Sequence, residues 1–406
     1  MRDSTFITRV ELKNYKSIAA CSVRLRPLVF LVGPNGSGKS NFLDSFRFVS
    51  DALRTSLDHA LRNRGGIGEV RRRSAGHPTH FAVLFDFSLL TGQEGTYWFR
   101  IGARPQGGFE VQIEECVIRP TEALSSAEYF KVASGKVLTS SKKVPAASSD
   151  RLFLVSASGI PEFRPVYEAF SRMGFYNLNP DSIRRFQPPD AGEILNRDGS
   201  NLPSVLRELA RRSPLRKRRI EEYLEQVVPG ISGVDMKVVG PQETLEFRQQ
   251  VTGSKNPWRF PVANMSDGTL RALGVLVSLF QSGNGSGANI PLVGIEEPEV
   301  ALHPAAAGVL LDSLRAASRD TQVIVTSHSP DLLDDDELET ESILAVYSQR
   351  SGSRIAPLDE RGRAALRDRL YTAGELLRQD QLRPDPAHPR RQAATQLSLF
   401  GKGVAG

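Results

Sequence analysis

The chain is poor in the residues that staple small folds together. Its 406 residues include two cysteines, Cys21 and Cys116, six histidines and two tryptophans. Two cysteines exclude a disulfide framework, and neither lies in a Cys-x-x-Cys pair, so structural zinc is not expected. The histidines are scattered, which leaves no His/Cys set at metal-ligand spacing. Long apolar runs are also missing: the longest, Ala272 to Phe280, is about half of the roughly 20 residues a membrane helix needs. No membrane partner is expected. Met1 to Arg9 is not followed by an apolar block and a small-residue cleavage site, so the reading places the protein in the cytoplasm. Neither repeats of about 20–50 residues nor sustained heptads occur, which argues against a solenoid or a long coiled-coil arm. Charge of one sign does not dominate: 52 Lys and Arg against 46 Asp and Glu leave +6. That excess permits a polyanionic partner without naming one.

What is present is an ordinary globular composition, 40% hydrophobic and 24% charged, in a length that suggests two or three domains. The run Leu28-Val29-Phe30-Leu31-Val32 reads as a buried strand, and Phe42, Phe46, Val49 and Leu53 recur at helical spacing after it. From His80 to Leu138 the texture is β-rich and broken by Gly and Pro, an antiparallel meander with Ser134-Gly135 as a hairpin turn. Helical spacing returns in Val166 to Met173, Leu202 to Ala210 and Leu215 to Val228, then in Leu270 to Phe280 and Pro304 to Ala317. Buried strands at Pro291 to Ile295 and Thr321 to Thr326 alternate with these last helices, which implies a parallel sheet. The reading divides the chain into an N-terminal lobe (1–150), an inserted mostly helical lobe (151–260), a C-terminal lobe (261–378) and a Pro-rich flexible tail (379–406).

Three strand ends carry chemistry. Gly33-Pro34-Asn35-Gly36-Ser37-Gly38-Lys39-Ser40 fits the GxxxxGK[ST] pattern between a strand and a helix. Its glycines let backbone N–H groups close on phosphate oxygens, Lys39 reaches the β- and γ-phosphates, and Ser40 can ligate Mg²⁺. The strand ending at Ile295 delivers Glu296 and Glu297, whose side chains diverge, so that Glu296 can serve a metal and Glu297 an attacking water. The strand ending at Thr326 delivers Ser327-His328-Ser329-Pro330, where a neutral imidazole can contact a γ-phosphate. Ser266-Asp267-Gly268 before a helix is a weaker signal, since turns and N-caps look the same.

These elements in this order resemble an ABC-type P-loop ATPase head of the SMC/RecF/OLD branch. Val10-Glu11-Leu12-Lys13-Asn14-Tyr15-Lys16-Ser17 is similar to its opening strand and turn. Glu296-Glu297-Pro298-Glu299-Val300-Ala301-Leu302-His303-Pro304, Ser266 to Arg271, and Asp198-Gly199-Ser200-Asn201-Leu202 are closer to the OLD-like form. The resemblance implies an α/β fold with an antiparallel β subdomain and a helical insertion, binding ATP and Mg²⁺. It places Gly33 through Asn41 on the nucleotide, Ser40 and Glu296 on the metal, Glu297 on water and His328 on the γ-phosphate. Ser266 and Gly268 would complete the site of a second protomer, so hydrolysis would require an ATP-bound homodimer. The metal-position acid is Glu296 where many relatives have Asp, and no glutamine is assigned to the family's Q-loop; Gln112 and Gln187 carry no weight. OLD-type enzymes continue into a nuclease domain, whereas only 76 residues follow Pro330 here, so the chain is not expected to cut nucleic acid. The implied role is RecF-like, in DNA repair or replication. The alternative is a regulatory ATPase of an antiphage system that controls a separate nuclease or toxin.

Two further features bear on partners. Arg216, Lys217, Arg218 and Arg219 form a basic run that could track a phosphate backbone. The tail ends in Gln396-Leu397-Ser398-Leu399-Phe400, which resembles the peptide that docks on the bacterial sliding clamp through Gln396, Leu397, Leu399 and Phe400.

Overall fold

A computed structural model describes residues 5–74, 78–120, 126–282, 289–349 and 352–388. In chain order the strands are β1 (Ile7–Tyr15), β2 (Ile18–Arg24), β3 (Leu28–Val32), β4 (His80–Ser88), β5 (Glu94–Ala103), β6 (Phe109–Arg119), β7 (Glu128–Ala133) and β8 (Lys136–Ser140). They continue with β9 (Gly174–Tyr176), β10 (Ile231–Val239), β11 (Gln242–Gln249), β12 (Trp258–Pro261), β13 (Leu292–Glu296), β14 (Gln322–Ser327), β15 (Ile343–Gln349) and β16 (Gly352–Pro357). The described residues form two compact units: Thr5–Ser171 together with Asp336–His388, and Arg172–Asp335.

In the first unit the strand order is β8-β7-β6-β5-β4-β1-β2-β16-β15-β3. The meander β4 to β8 is antiparallel throughout. Its last turn is Ser134-Gly135, both at positive φ, the conformation that a two-residue hairpin loop demands. β3 pairs in parallel with β15, a strand that the sequence reading did not assign. The helix Lys39–Arg54 leaves β3 and buries Phe42, Phe46, Phe48, Val49 and Leu53. Phe46 stacks on Phe85 of β4 and Phe85 on Phe170, with ring centroids 4.8 and 5.7 Å apart. Side chains at i, i+4 and i+7 are what place that apolar stripe on one face, and burying three such rings fixes the axis of the helix that begins at Lys39.

In the second unit β13 pairs in parallel with both β14 and β9, as alternating strands and helices lead one to expect. The helix Asp267–Phe280 is buried along nearly its whole length. Residues 231–261, which the sequence reading placed in a mostly helical lobe, form the antiparallel sheet β10-β11-β12. Its strands bury Ile231, Val234, Leu245 and Phe247, and the charged residues between them mask the alternation.

Candidate functional site

In the first unit the phosphate loop follows from its glycines. Gly36 and Gly38 sit at φ 74° and 109°, a region closed to most side chains. A Cβ on Gly33 would lie 2.0 Å from the Val346 carbonyl oxygen of β15, and one on Gly38 would lie 2.1 Å from Ser353 Oγ of β16. The hairpin β15–β16 therefore fixes the underside of the loop. Ser17 and Ser353 share a hydroxyl hydrogen bond of 2.7 Å, and Asn41 Nδ2 donates to Ser17 Oγ at 2.7 Å. No side chain caps the helix at Gly38, and a helix N-terminus of this kind is a ready site for an anion. Lys39 Nζ folds over the loop onto the carbonyls of Gly33 (2.7 Å) and Pro34 (3.1 Å). Ser37 Oγ is buried without a hydrogen-bond partner, an unmet demand that a phosphate oxygen can satisfy. Pro34, Asn35, Gly36 and Ser40 are exposed at the mouth.

Behind the loop the same helix carries a buried charge cluster that sequence reading did not find. Asp44 receives Lys16 Nζ at 2.6 Å, Arg64 Nη2 at 3.0 Å, Arg47 Nη2 at 3.1 Å and the Tyr15 hydroxyl at 2.8 Å. Burial pushes the Asp44 carboxyl up, but the Arg64, Lys16 and Arg47 charges outweigh it and hold it far below the usual carboxylate range.

The second unit brings the remaining candidates together at the ends of β13 and β14. Glu296 closes β13, and Glu297 follows with its N–H on the Thr326 carbonyl at 2.9 Å. Glu297 holds φ 47°, an uncommon conformation for a non-glycine residue and one that concentrates at functional sites. His328 Nδ1 lies 3.3 Å from Glu297 Oε1. The neighbouring Glu299 accepts from Ser327 Oγ at 2.6 Å, while its Oε2 is buried without a partner. Burial raises its carboxyl, partly offset by the Ser327 hydrogen bond. Ser266 caps the helix Asp267–Phe280, its hydroxyl accepting from Thr269 N–H at 3.2 Å. Gly268 approaches the Glu297–His303 turn so closely that a Cβ would meet the Ala301 carbonyl oxygen at 2.4 Å. The side chains of Ser266 and Asp267 face outward. Arg271, half-buried on the same helix, faces the charges of Glu297 and Glu299.

Arg197 is the residue that sequence reading passed over. Its Nη2 donates to Glu296 Oε1 at 2.8 Å, and the only signal was its place directly before Asp198-Gly199-Ser200-Asn201. The two glutamines without weight gain none. Gln112 lies against Gly102, and Gln187 is tied to Ser182 and Glu243.

The basic run is largely engaged within its own unit. Lys217 bridges Glu221 (2.7 Å) and Asp235 (3.1 Å), Arg218 pairs with Glu222, Arg219 lies over the Phe280 ring, and Arg216 is partly buried near Asp320. Arg218 is the most exposed of these. Gln396, Leu397, Leu399 and Phe400 lie outside the described residues. Among the described residues no helix is long and apolar enough to cross a membrane.

Comparison with known proteins agrees with the fold. The head of an SMC protein bound to the C-terminal winged-helix domain of ScpA superposes with a TM-score of 0.54 at 16% identity, covering 88% of this chain and 99% of that one. An Smc head with an extended coiled coil, bound to the C-terminal domain of ScpA derived from Pyrococcus furiosus, gives 0.53 at 14% identity, over 90% and 99%. Among curated proteins, structural maintenance of chromosomes protein 1 of Schizosaccharomyces pombe is 27% identical over 40% of this chain and 14% of its own length. The DNA replication and repair protein RecF of Rhizobium meliloti is 32% identical over 30% of this chain and 29% of its own length. The matches thus span less than a third of either relative. The architecture is that of an ABC-type P-loop ATPase head of the SMC/RecF branch. Residues 28–334 match the family described as "AAA domain, putative AbiEii toxin, Type IV TA system", and the chain belongs to that family.

Proposed function

We propose that the chain binds and hydrolyses ATP, and that it does so as an ATP-dependent homodimer engaged in DNA maintenance. The observation that carries the reading is the phosphate loop itself: positive-φ glycines, a helix N-terminus without a side-chain cap and the buried Ser37 hydroxyl together suit a phosphate group. Lys39 would exchange its two carbonyl partners for β- and γ-phosphate oxygens. Gly33 through Asn41 would wrap the phosphates.

Ser40 in the first unit and Glu296 in the second each offer a hard oxygen of the kind Mg²⁺ takes. Mg²⁺ characteristically takes few protein ligands and fills its shell with phosphate oxygens and waters. When bound, it would neutralise charge developing on the phosphates. Glu297, aimed by its positive φ and held beside His328, would accept a proton from the attacking water. His328 would contact the γ-phosphate. Ser266 and Gly268 sit at an outward-facing helix N-terminus, which suits contact with the nucleotide of a second protomer.

The test is Glu297→Gln, which keeps shape and removes the base. ATP affinity should stay near wild type, turnover should fall by at least about 100-fold, and the dimer should persist in ATP by light scattering. Turnover at the wild-type rate would refute the assignment.

DNA as the partner is supported by the names of the two curated relatives, which refer to chromosome maintenance and to DNA replication and repair. Charge reversal at Arg216, Lys217 and Arg218 should reduce DNA affinity and its salt slope; unchanged values would remove that surface from the reading. The second reading, a regulatory ATPase of an antiphage defence system that controls a separate nuclease or toxin partner, draws only on the toxin–antitoxin system named in the family's description. A partner that co-purifies and is released on ATP addition would select it.

A further inference from the structure

Arg197, paired with Glu296, falls outside every role assigned above. Its geometry is imposed by the backbone. β9 lies parallel to β13 with Tyr176 opposite Ile295, so the residue after Tyr176 flanks Glu296. Asn177 N–H donates to the Arg197 carbonyl at 2.9 Å and Asn179 N–H to the Asp198 carbonyl at 3.1 Å, which ties the loop alongside the continuation of β9. The turn after Arg197 is closed by Ser200 N–H on Asp198 Oδ1 at 3.0 Å. Gly199 holds φ 81°, where a Cβ would meet Ile183 at 2.8 Å. Asn201 locks the far side, accepting from Asn196 N–H and donating to Asp190 and the Ile194 carbonyl. A fixed backbone thus presents one flexible, always-charged side chain to the carboxylate at the end of β13.

The burial of the pair distinguishes a displaceable contact from a structural one. Arg64, which holds Asp44, is 2% exposed and has further partners in Asp51 and the Ala60 carbonyl. Releasing it would strand a buried charge. Arg197 is 46% exposed and Glu296 22%, so the guanidinium returns to water at little cost once its partner is taken.

We infer that Arg197 is the resident counter-ion of Glu296, holding the carboxylate until a divalent cation arriving with nucleotide displaces it, and so setting the metal concentration at which the chain takes up metal–nucleotide. The inference rests on the assignment of Glu296 to the metal. A cation that needs Glu296 Oε1 must replace the guanidinium hydrogen bond there, because two positive charges on one oxygen repel. Removing the arginine charge therefore tightens metal binding, whereas a strut that merely oriented Glu296 would weaken it on removal.

The experiment is a titration of the full chain with Mn²⁺, followed by electron paramagnetic resonance at a saturating concentration of a non-hydrolysable ATP analogue. No turnover is involved. Arg197→Gln should bring the half-saturation concentration down about two- to fivefold, the range open to a half-exposed ion pair, and Arg197→Lys should stay close to wild type. An Arg197→Gln value equal to or above wild type overturns the inference. Glu296→Gln separates this from failure of the underlying reading. A rise of about tenfold or more with Glu296→Gln upholds the metal assignment, and an unchanged value overturns both it and the counter-ion role.

Discussion

Asp44→Asn should destabilise the first unit by about 3 kcal/mol, a value set by what the substitution leaves behind. Asp44 and Asp51 face Lys16, Arg47 and Arg64 in this cluster. Neutralising Asp44 leaves three cations around one carboxylate. Lys16 and Arg47 are partly exposed and regain hydration, but Arg64 is not and retains only Asp51, the Ala60 carbonyl and the Phe48 ring. Breaking a buried pair on one side typically costs about 3–5 kcal/mol, and the hydration of two of the three cations places this case at the lower end. With a urea m-value of about 3 kcal/mol/M, suited to a unit of this size, the midpoint should fall by about 1 M. Trp98 is almost wholly buried in β5 and Trp258 is exposed in the other unit, so Trp258→Phe leaves one reporter in the affected unit. Replacing both partners, Asp44→Asn with Arg64→Met, should recover most of the loss, since no buried charge is then stranded. The folded-state pKa of Asp44 lies below its unfolded value near 4, so its contribution is complete above about pH 4 and fades as pH falls through the folded pKa. The difference between wild type and Asp44→Asn should shrink accordingly. A midpoint shift under about 0.3 M at neutral pH, with m unchanged, would show the cluster to be screened by water and the reasoning wrong.

Glu114 gives the opposite pH dependence. Burial lifts its carboxyl to about 7 against the hydrogen bonds from Phe153 N–H, Leu154 N–H and the Tyr97 hydroxyl. The folded state therefore binds the extra proton, and stability should fall as pH rises from about 5 to 7 in wild type but not in Glu114→Gln, by urea midpoints across that range. Gly268→Ala forces a Cβ to within 2.4 Å of the Ala301 carbonyl oxygen. It should abolish ATP-dependent dimerisation by light scattering while fluorescent-nucleotide binding by the monomer stays within about threefold, a change of under 1 kcal/mol; unimpaired dimerisation would remove that helix N-terminus from the interface. Leu399→Ala with Phe400→Ala should eliminate retention on the host's immobilised sliding clamp, and retention by neither protein would reduce the tail peptide to a chance match.

Local signals carried much of this protein into view. The loop Gly33 to Ser40 announces itself because phosphate binding needs glycines and a lysine at fixed spacing in one contiguous stretch. The Ser134-Gly135 turn was legible for the same reason, since a positive φ at two adjacent residues restricts their type. Buried strands such as Leu28–Val32 and Pro291–Ile295 stood out because no charged residue interrupts the run. By itself the sequence thus determined a phosphate loop, two acid- and histidine-bearing strand ends and an alternating α/β order.

Tertiary structure decided what depends on residues far apart in the chain. No spacing rule joins Arg64 to Asp44, Ser353 to Gly38 or Arg197 to Glu296. Arg64 reaches Asp44 because the short helix Leu57–Arg62 doubles back on the helix Lys39–Arg54, Ser353 reaches Gly38 on the returning hairpin β15–β16, and Arg197 reaches Glu296 from the loop tied alongside β9. The sheet β10-β11-β12 escaped for a related reason: its charged residues dilute the alternation, and pairing across strands completes the signal. The basic run shows the same limit, since a sequence counts its charges but only the folded neighbours reveal that Lys217 and Arg219 are already engaged. Chemistry carried by adjacent residues is written along the chain, whereas the counter-ions that tune it are supplied by the fold, because electrostatic contact depends on distance in space.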